Sequence, residues 1–398
     1  MVGLPDDLPA YRPRAPDLMA AARRLIPRRR SPPAPPEAPG AAAGQPAVEP
    51  GAIARGVDWA SRWLQLPDLA VGWLPWAVSE ACRAARRHGC RVIYSSAPPW
   101  TAHLVALLTK RLTGLPWVAD FRDPWRANPF RAIPFPSIDR ADAWLERRVV
   151  LGADRVICNS EAVRDDFRGR FPVRDDRLDR FATIPNGFDP EDFADLVPRR
   201  SAGPDRLVLT HAGVFYGRRS PEPIFRALRL LRDRGAGGRE LLLQLVGPPE
   251  FEGRCLREIA DSHGVGDLVE LTGRVDHRPA LELMKGSDIQ VLVGFNGPGS
   301  ELQVPAKLFE YMGVGRSVLA LAPGRGAMRE ILAQSRIDSE VCDPDDPEAI
   351  AGAIARLAER PGGGRSEPAE NPSLAQFHRR DQVRRIADLL DASDRGHA

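Results

Sequence analysis

Short apolar runs recur along most of the chain. Each is followed by a turn-forming cluster and then by a segment whose apolar residues return at helical spacing. In the first half the pattern is regular from Ile53. Residues 76–88, WAVSEACRAARRH, predict a helix that stops at Gly89. Val92–Tyr94 predicts a short buried strand, 101–112 a helix broken by Gly114 and Pro116, and Trp117–Asp120 a strand running into FRDPW. A helix at about 138–150, a strand at Arg155–Cys158, a helix opening in NSEAVRDDF and a strand at Ala182–Ile184 complete this half. After a polar linker at about Val197–Asp205 the alternation restarts. Strands are predicted at 207–212, 241–246, 268–272, 289–293, 317–321 and about 339–342. Helices fill the gaps at about 221–234, 252–263, 279–285, 305–312, 325–334 and 347–359. Such alternation is the signature of parallel sheets covered by helices on both faces. The second half predicts a complete doubly wound, Rossmann-like domain, and the first half predicts another. Ligands bind outside the carboxyl ends of such strands, so the expected site is a cleft between the two domains.

Other segments depart from the alternation. Asp17–Ile26 is a short amphipathic stretch. From Arg28 to about Gly51 the chain is rich in Pro and Ala and poor in large apolar residues, which predicts a disordered insertion. Residues 363–371 predict a loose tail, and 373–392 a helix with Phe377, Val383, Ile386 and Leu389 on one side. The expected domains are therefore 1–196, including the insertion at 28–51, then 205–362, with a C-terminal helix at 373–392.

Composition narrows the function classes. The 398 residues suffice for two domains with sizeable cores. A net charge of +3, from 56 basic and 53 acidic residues, lacks the basic excess of a dedicated nucleic-acid binder, so no nucleic-acid partner is expected. Cys82, Cys90, Cys158, Cys255 and Cys342 are scattered without CxxC spacing, which argues for a reducing compartment and against a disulfide framework or zinc knuckle. The N-terminal residues show no apolar signal-peptide core. The uncharged stretch Val92–Thr109 carries Ser95, Ser96, Pro98, Pro99 and His103 and makes a poor membrane span. A cytoplasmic protein is expected. Arg28–Arg30 beside Leu25 and Ile26 leaves peripheral contact with an anionic membrane open. Lysine stands only at Lys110, Lys285 and Lys307, so a loop lysine in this arginine-rich chain hints at a required compact charge.

Several motifs carry a family resemblance. SSAPPWTAHLVALLTKRLTGLPWVADFRDPW (95–125), GADRVICNSEAV (152–163) and IPNGFDPEDF (184–193) resemble the N-terminal domain of family 4-like glycosyltransferases. HAGVFYGRRSPEP (211–223), VGPPEF (246–251), LTGRVDH (271–277) and VPAKLFEYMGVGRSVLALAP (304–323) resemble the group 1 (family 4) transferase domain. The motifs stand in order over about residues 55–360. The resemblance implies a GT-B fold of two Rossmann-like domains facing a cleft. It implies retaining transfer of a sugar from a nucleotide-diphosphate donor to a glycan or lipid-linked acceptor, with no cofactor and no required metal. It also implies a C-terminal helix crossing back onto the first domain, which matches 373–392. Polysaccharide or glycolipid assembly at the inner face of a membrane is the family-level expectation. The family's first domain normally opens with a strand, a glycine-rich loop and a helix. That unit is not recognisable here; the expectation is a start assigned too far downstream, with a genuinely incomplete domain as the alternative.

The candidate residues follow from the charge that grows on a departing diphosphate, which needs fixed donors. Arg218 and Arg219, after the strand LVLTHA, and Lys307, at a helix start, are the candidate cations, and Gly213 allows close backbone approach. By resemblance, Arg219 and Lys307 contact the diphosphate. Glu310 matches the second Glu of the family's E-x7-E motif, which binds the ribose hydroxyls. The first Glu falls at Leu302, so Glu301 is a displaced candidate for the sugar. Arg274 and Val275 sit where the family holds the base by backbone contacts. On the acceptor side the candidates are His103, Asp120, Arg122 and Asp123, the last three with local Arg–Asp pairing as an equal alternative. Asn186 and Gly187 resemble hinge residues, for which turn formation is a sufficient explanation.

Three other readings compete. A metal-dependent transferase would need a DxD pair, and Asp343-Pro-Asp345 is better explained as a helix cap. A sugar epimerase shares the architecture, but KLFEY favours transfer. A catalytically inactive binding or scaffold subunit accommodates both the missing first unit and the missing Glu.

Overall fold

The computed structural model describes residues 9–11, 59, 63, 65–131, 133, 135–172, 179–235, 239–360 and 368–396. The predicted insertion at 28–51, the Asp17–Ile26 stretch and Arg28–Arg30 lie outside these residues, as do 363–367 of the predicted tail. The chain divides into two compact units, one of residues 1–119 and 133–153, the other of residues 120–132 and 154–398.

In the first unit, helix α1 (Leu74–His88) precedes strand β1 (Ile93–Ala97), helix α2 (Thr101–Thr113), the start of strand β2 (Trp117–Phe121) and helix α3 (Pro136–Gly152). Gly89 and Gly114 end α1 and α2 in the left-handed conformation that glycine adopts without steric cost. Ala77, Val78 and Cys82 of α1 pack with Val105 of α2. The Asp68 carboxylate accepts from Thr101 N–H at 2.9 Å and Thr101 Oγ1 at 2.7 Å, which anchors the start of α2. β1 runs further than the predicted Val92–Tyr94. Ser95 can sit in a strand and face inward because Trp117 Nε1 donates to its hydroxyl at 2.8 Å.

In the second unit, strands β3 (Arg155–Cys158) and β4 (Phe181–Thr183) pair in parallel. Helix α4 (Glu161–Arg170) starts at Ser160, whose hydroxyl accepts the Val163 N–H at 3.2 Å. A single turn, α5 (Glu191–Ala194), leads to a six-stranded sheet in the order β12-β11-β10-β5-β6-β9. These strands are β5 (Arg206–Ala212), β6 (Glu240–Val246), β9 (Val269–Gly273), β10 (Ile289–Val293), β11 (Ser317–Leu321) and β12 (Ser339–Cys342), all parallel. Helices α6 (Glu222–Asp233), α7 (Leu256–Ser262) and α11 (Pro347–Glu359) contribute to one apolar cluster on the sheet, through residues such as Phe225, Ile259 and Ile354. Helices α8 (His277–Gly286), α9 (Lys307–Val314) and α10 (Ala327–Ser335) contribute to a second. The strands read as continuous apolar runs because helices bury both faces.

Two predicted elements differ. The helix expected at 252–263 begins only at Leu256, because β7 (Glu250–Phe251) and β8 (Arg254–Cys255) form a small antiparallel hairpin. Its turn uses the positive φ of Glu252 (50°) and Gly253 (78°). The C-terminal helix α12 (Arg379–Arg395) follows a 3-10 turn at Pro372–Phe377. The face predicted to be seated through Val383 is not: Val383 is 63% exposed, while Leu374 and Phe377 of the preceding turn are buried. The start of α12 is held instead by polar contacts. Arg385 donates to Thr183 O at 2.6 Å, and Arg379 pairs with Asp189 at 2.8 Å.

Gly187 sits against this segment. A Cβ there would lie 2.1 Å from Phe377 O and 2.3 Å from Gln382 Nε2. Gly187→Ala is expected to lower the unfolding free energy by roughly 1–3 kcal/mol through overpacking. Gly203→Ala, where no atom lies within 4 Å, is the control and leaves it nearly unchanged. Denaturant unfolding of both variants checks this, and equal effects would contradict the packing account.

Candidate active site

The six-stranded sheet reverses its strand order at β5. From there it grows through β6 and β9 on one side and through β10, β11 and β12 on the other. Such a reversal opens a crevice at the carboxyl ends of the two central strands. Here β5 and β10 pair only through Ile289 with Leu209 and Gln290 with Thr210, and then part. Two side chains satisfy backbone groups at the parting. His211 Nδ1–H donates to Val291 O at 3.0 Å. Tyr311 OH donates to the same carbonyl at 3.2 Å and accepts from Ala212 N–H at 3.3 Å. Burial pushes the Tyr311 phenol well above its usual range, so it stays a proton donor.

The bond from Nδ1 fixes the His211 tautomer. A carbonyl only accepts, so Nδ1 carries the proton and Nε2 presents a lone pair. The ring is 8% exposed and stacks on Phe215 at 4.3 Å between centroids. Nε2 is buried and has no hydrogen-bond partner. Burial is the main cause that lowers the His211 pKa to about 4, and the charges of Lys307 and Arg219 lower it further. His211 is a site residue that sequence reasoning missed. Its only local signal was a histidine at the end of an apolar strand, two positions before a glycine.

The loop after β5 carries two of the predicted cations, Arg218 and Arg219. Gly213 N–H donates to Val246 O at 2.9 Å. A Cβ on Gly247 would lie 2.0 Å from the Gly213 carbonyl, so the two loops approach this closely only with glycine at 247. Arg219 is partly buried, with its guanidinium over Phe130 at 5.0 Å and Tyr216 at 5.1 Å. It donates to Tyr216 OH through Nη1, while its Nε is buried without a hydrogen-bond partner. Burial lowers its pKa, against the pull of Tyr216 and Asp123. Arg218 is exposed, lies over Phe295 at 5.6 Å and rests against Gly297. Lys307 begins α9, and its Nζ donates to Glu310 Oε2 at 2.6 Å. Glu310 Oε1 lies 3.8 Å from His277 Nε2.

The remaining candidates fall as follows. Arg274 and Val275 are exposed in the loop after β9. Glu301 lies in a 3-10 turn, Ser300–Leu302, whose Leu302 is 6% exposed. A core leucine therefore holds the position where the family motif has its first Glu. Asp120 is buried and accepts from Arg122 Nε at 2.7 Å. Arg122 Nη1 also donates to Ile184 O at 3.4 Å, Pro185 O at 3.3 Å and Asn186 Oδ1 at 3.3 Å. This pair orders the loop and ties it to the segment after β4. Burial raises the Asp123 carboxyl pKa, while Arg219 opposes the rise. In the first unit, His103 is fully buried with Nδ1 2.8 Å from Ser95 Oγ, and burial lowers its pKa to about 3.

The DxD alternative also has a place. Asn296 Nδ2 donates to Asp343 Oδ1 at 2.6 Å and Asp345 Oδ2 at 2.8 Å. The helix cap expected from this pair belongs to Asp346, which accepts the Ala349 N–H at 2.9 Å. Among the described residues, no three His, Cys, Asp or Glu side chains converge as a metal site.

Known proteins bear on this arrangement. Residues 19–192 match Glycosyltransferase Family 4, and residues 206–360 match Glycosyl transferases group 1. A GDP-mannose-dependent alpha-(1-6)-phosphatidylinositol dimannoside mannosyltransferase of Mycobacterium tuberculosis is 25% identical over 254 residues, 61% of this chain and 55% of that protein. A D-inositol 3-phosphate glycosyltransferase of Actinosynnema mirum is 32% identical over 136 residues, 31% of each chain. The chain thus spans about half or less of these relatives' length. Among solved structures, sucrose-phosphate synthase from Thermosynechococcus elongatus aligns with a TM-score of 0.61 at 18% identity, covering 80% of this chain and 78% of that one. Anabaena HepE, solved in complex with UDP, aligns with a TM-score of 0.57 at 18% identity, covering 79% and 82%. These two likenesses bear on the fold.

The buried histidines set a pH dependence. Both folded pKa values lie below the unfolded value of 6.5, so unfolding takes up protons at acid pH. The stability they confer is complete above about pH 6.5 and is lost as pH falls toward the folded values. Between pH 6.5 and 5 each ring is expected to lower the unfolding free energy by up to ~1.4 kcal/mol per pH unit. His211→Phe should show a shallower fall than wild type in denaturant titrations at these two pH values. Parallel falls would contradict the assignment for His211.

Proposed function

Since the chain belongs to the group 1 glycosyltransferases and has a GT-B fold, we propose that it moves a glycosyl group from a nucleotide-diphosphate sugar to a glycan or lipid-linked acceptor, with retention of configuration and no required metal ion. The observation that carries this reading is the placement of two cations on the elements that meet at the strand reversal. Lys307 begins α9, whose Tyr311 donates to Val291 O, and Arg219 stands in the loop after β5, whose His211 donates to the same carbonyl. Fixed cations in a partly buried setting are what a departing diphosphate requires.

In this reading Arg219 and Lys307 hold the diphosphate, Arg218 adds to the field, and Gly213 lets the backbone approach. Glu310 releases Lys307 on binding and accepts from the ribose diol. A carboxylate suits a diol because it has two acceptor oxygens. Arg274 and Val275 flank the base, and Glu301 is a displaced contact for the sugar. Asp123 is the acceptor-side carboxylate, with Asp120 and Arg122 holding its loop. The acceptor hydroxyl attacks the anomeric carbon from the face that the diphosphate leaves. The bond from that carbon to the phosphate oxygen breaks as the new glycosidic bond forms, and the departing phosphate takes the hydroxyl proton. We place the protein in the cytoplasm, with peripheral membrane contact for a lipid-linked acceptor. Among the described residues no helix is long and apolar enough to cross a membrane.

The names of similar proteins supply first ligands to try, UDP and GDP-mannose. Lys307→Ala is expected to weaken nucleoside diphosphate binding about tenfold or more, as loss of a charged hydrogen bond does. Glu310→Ala should weaken the nucleoside diphosphate but not inorganic pyrophosphate, which lacks the ribose and meets a Lys307 freed of its carboxylate partner. Calorimetric titration checks both. Equal losses for both ligands in Glu310→Ala would contradict its role. Nucleotide binding by wild type without diphosphate release from any donor and acceptor pair would favour the scaffold reading.

A further inference from the structure

His211 presents an acceptor among cations. Its Nδ1 proton is engaged by Val291 O, and its Nε2 lone pair is buried and unpartnered. A Cβ on Gly213 would lie 3.4 Å from Nε2, so the lone pair borders the strip of backbone where the donor approaches in the reading above. A purely structural histidine needs only the Nδ1 bond. Glutamine or asparagine could supply that bond as well, so the unpartnered lone pair is the feature left unexplained.

The chemistry of the donor limits what this lone pair can meet. A diphosphate offers only acceptor oxygens, so it cannot donate to Nε2. Its neighbours Arg219 and Lys307 are the groups suited to it. The ribose diol has Glu310, an anionic acceptor. The base, whose N–H groups also donate, lies at Arg274 and Val275 in that reading, so the remaining donors of a sugar nucleotide are the hydroxyls of the sugar being transferred. We propose that His211 reads a hydroxyl of that sugar, accepting its hydrogen bond at Nε2. This rests on the nucleotide-sugar reading of the same site. It makes His211 a specificity-determining contact that tells sugar nucleotides from the free nucleotide.

The test pairs UDP with UDP-glucose and GDP with GDP-mannose in calorimetric titrations of wild type, His211→Phe and His211→Gln. Phenylalanine keeps the ring stack and removes the acceptor, whereas glutamine retains an acceptor oxygen. For the pair that wild type binds, His211→Phe is expected to weaken the sugar nucleotide about 3–10-fold more than the free nucleotide, the range for one hydrogen bond. His211→Gln should recover part of that difference. Equal weakening of both ligands, or of neither, overturns the proposal. Wild type that binds none of the four overturns the nucleotide-sugar reading itself, a separate outcome. Wild type labelled with 15N-histidine needs no variant to fold. The His211 Nε2 resonance is expected to move to lower frequency with the sugar nucleotide but not with the nucleotide alone. A resonance unmoved by the sugar nucleotide overturns the proposal.

Discussion

The parting of two adjacent parallel strands organises the site. β5 and β10 share two register pairs and then diverge, leaving backbone groups without ladder partners. An unpaired buried carbonyl or amide is costly, so something must fill the gap. His211 and Tyr311 do so, one near the end of β5 and one within α9. Because both meet at Val291 O, the end of β5 and the helix beginning at Lys307 are tied to one backbone atom. Lys307 is the first residue of that helix, and Arg219 lies in the loop that follows β5.

Charge is then distributed around a neutral ring. A protonated imidazole beside Lys307 and Arg219 would add repulsion to the cost of burial, and both effects keep His211 neutral. The cations are themselves held by contacts a ligand can replace. Lys307 rests on Glu310, and Arg219 on Phe130 and Tyr216. An arginine stacked on aromatic faces keeps part of its donor fork uncommitted, and here the Nε–H has no hydrogen-bond partner. Donors held in this way are already oriented, which is the basis of electrostatic preorganisation.

Much of this fold could be read from periodicity, because strands buried on both faces are continuous apolar runs and the helices between them are amphipathic. What escaped was decided by contacts distant in sequence or by competing local patterns. The hairpin at Glu250–Cys255 hid in a stretch compatible with a helix, although its Glu-Gly turn was the available signal. Val383 fitted an apolar stripe, yet the chain seats its C-terminal segment through Phe377, Gln382 and the bare backbone of Gly187. Lys307 and Glu310 stood out because residues three apart on a helix share a face, and they do form a pair. His211 did not, since its meaning depends on a carbonyl 80 positions away. The Asp120–Arg122 pair was visible as a local option, but its tie to Ile184, Pro185 and Asn186 was not.

In the proposed reaction, side chains of this protein, with no divalent cation, carry the charge of the departing diphosphate. The most direct measurement is the initial rate of nucleoside diphosphate release with an active donor and acceptor pair, in excess EDTA and in excess magnesium or manganese. The account predicts rates that agree within about twofold, far less than the hundredfold scale on which losing one fixed transition-state donor is felt. A rate abolished by EDTA and restored by either metal would contradict it.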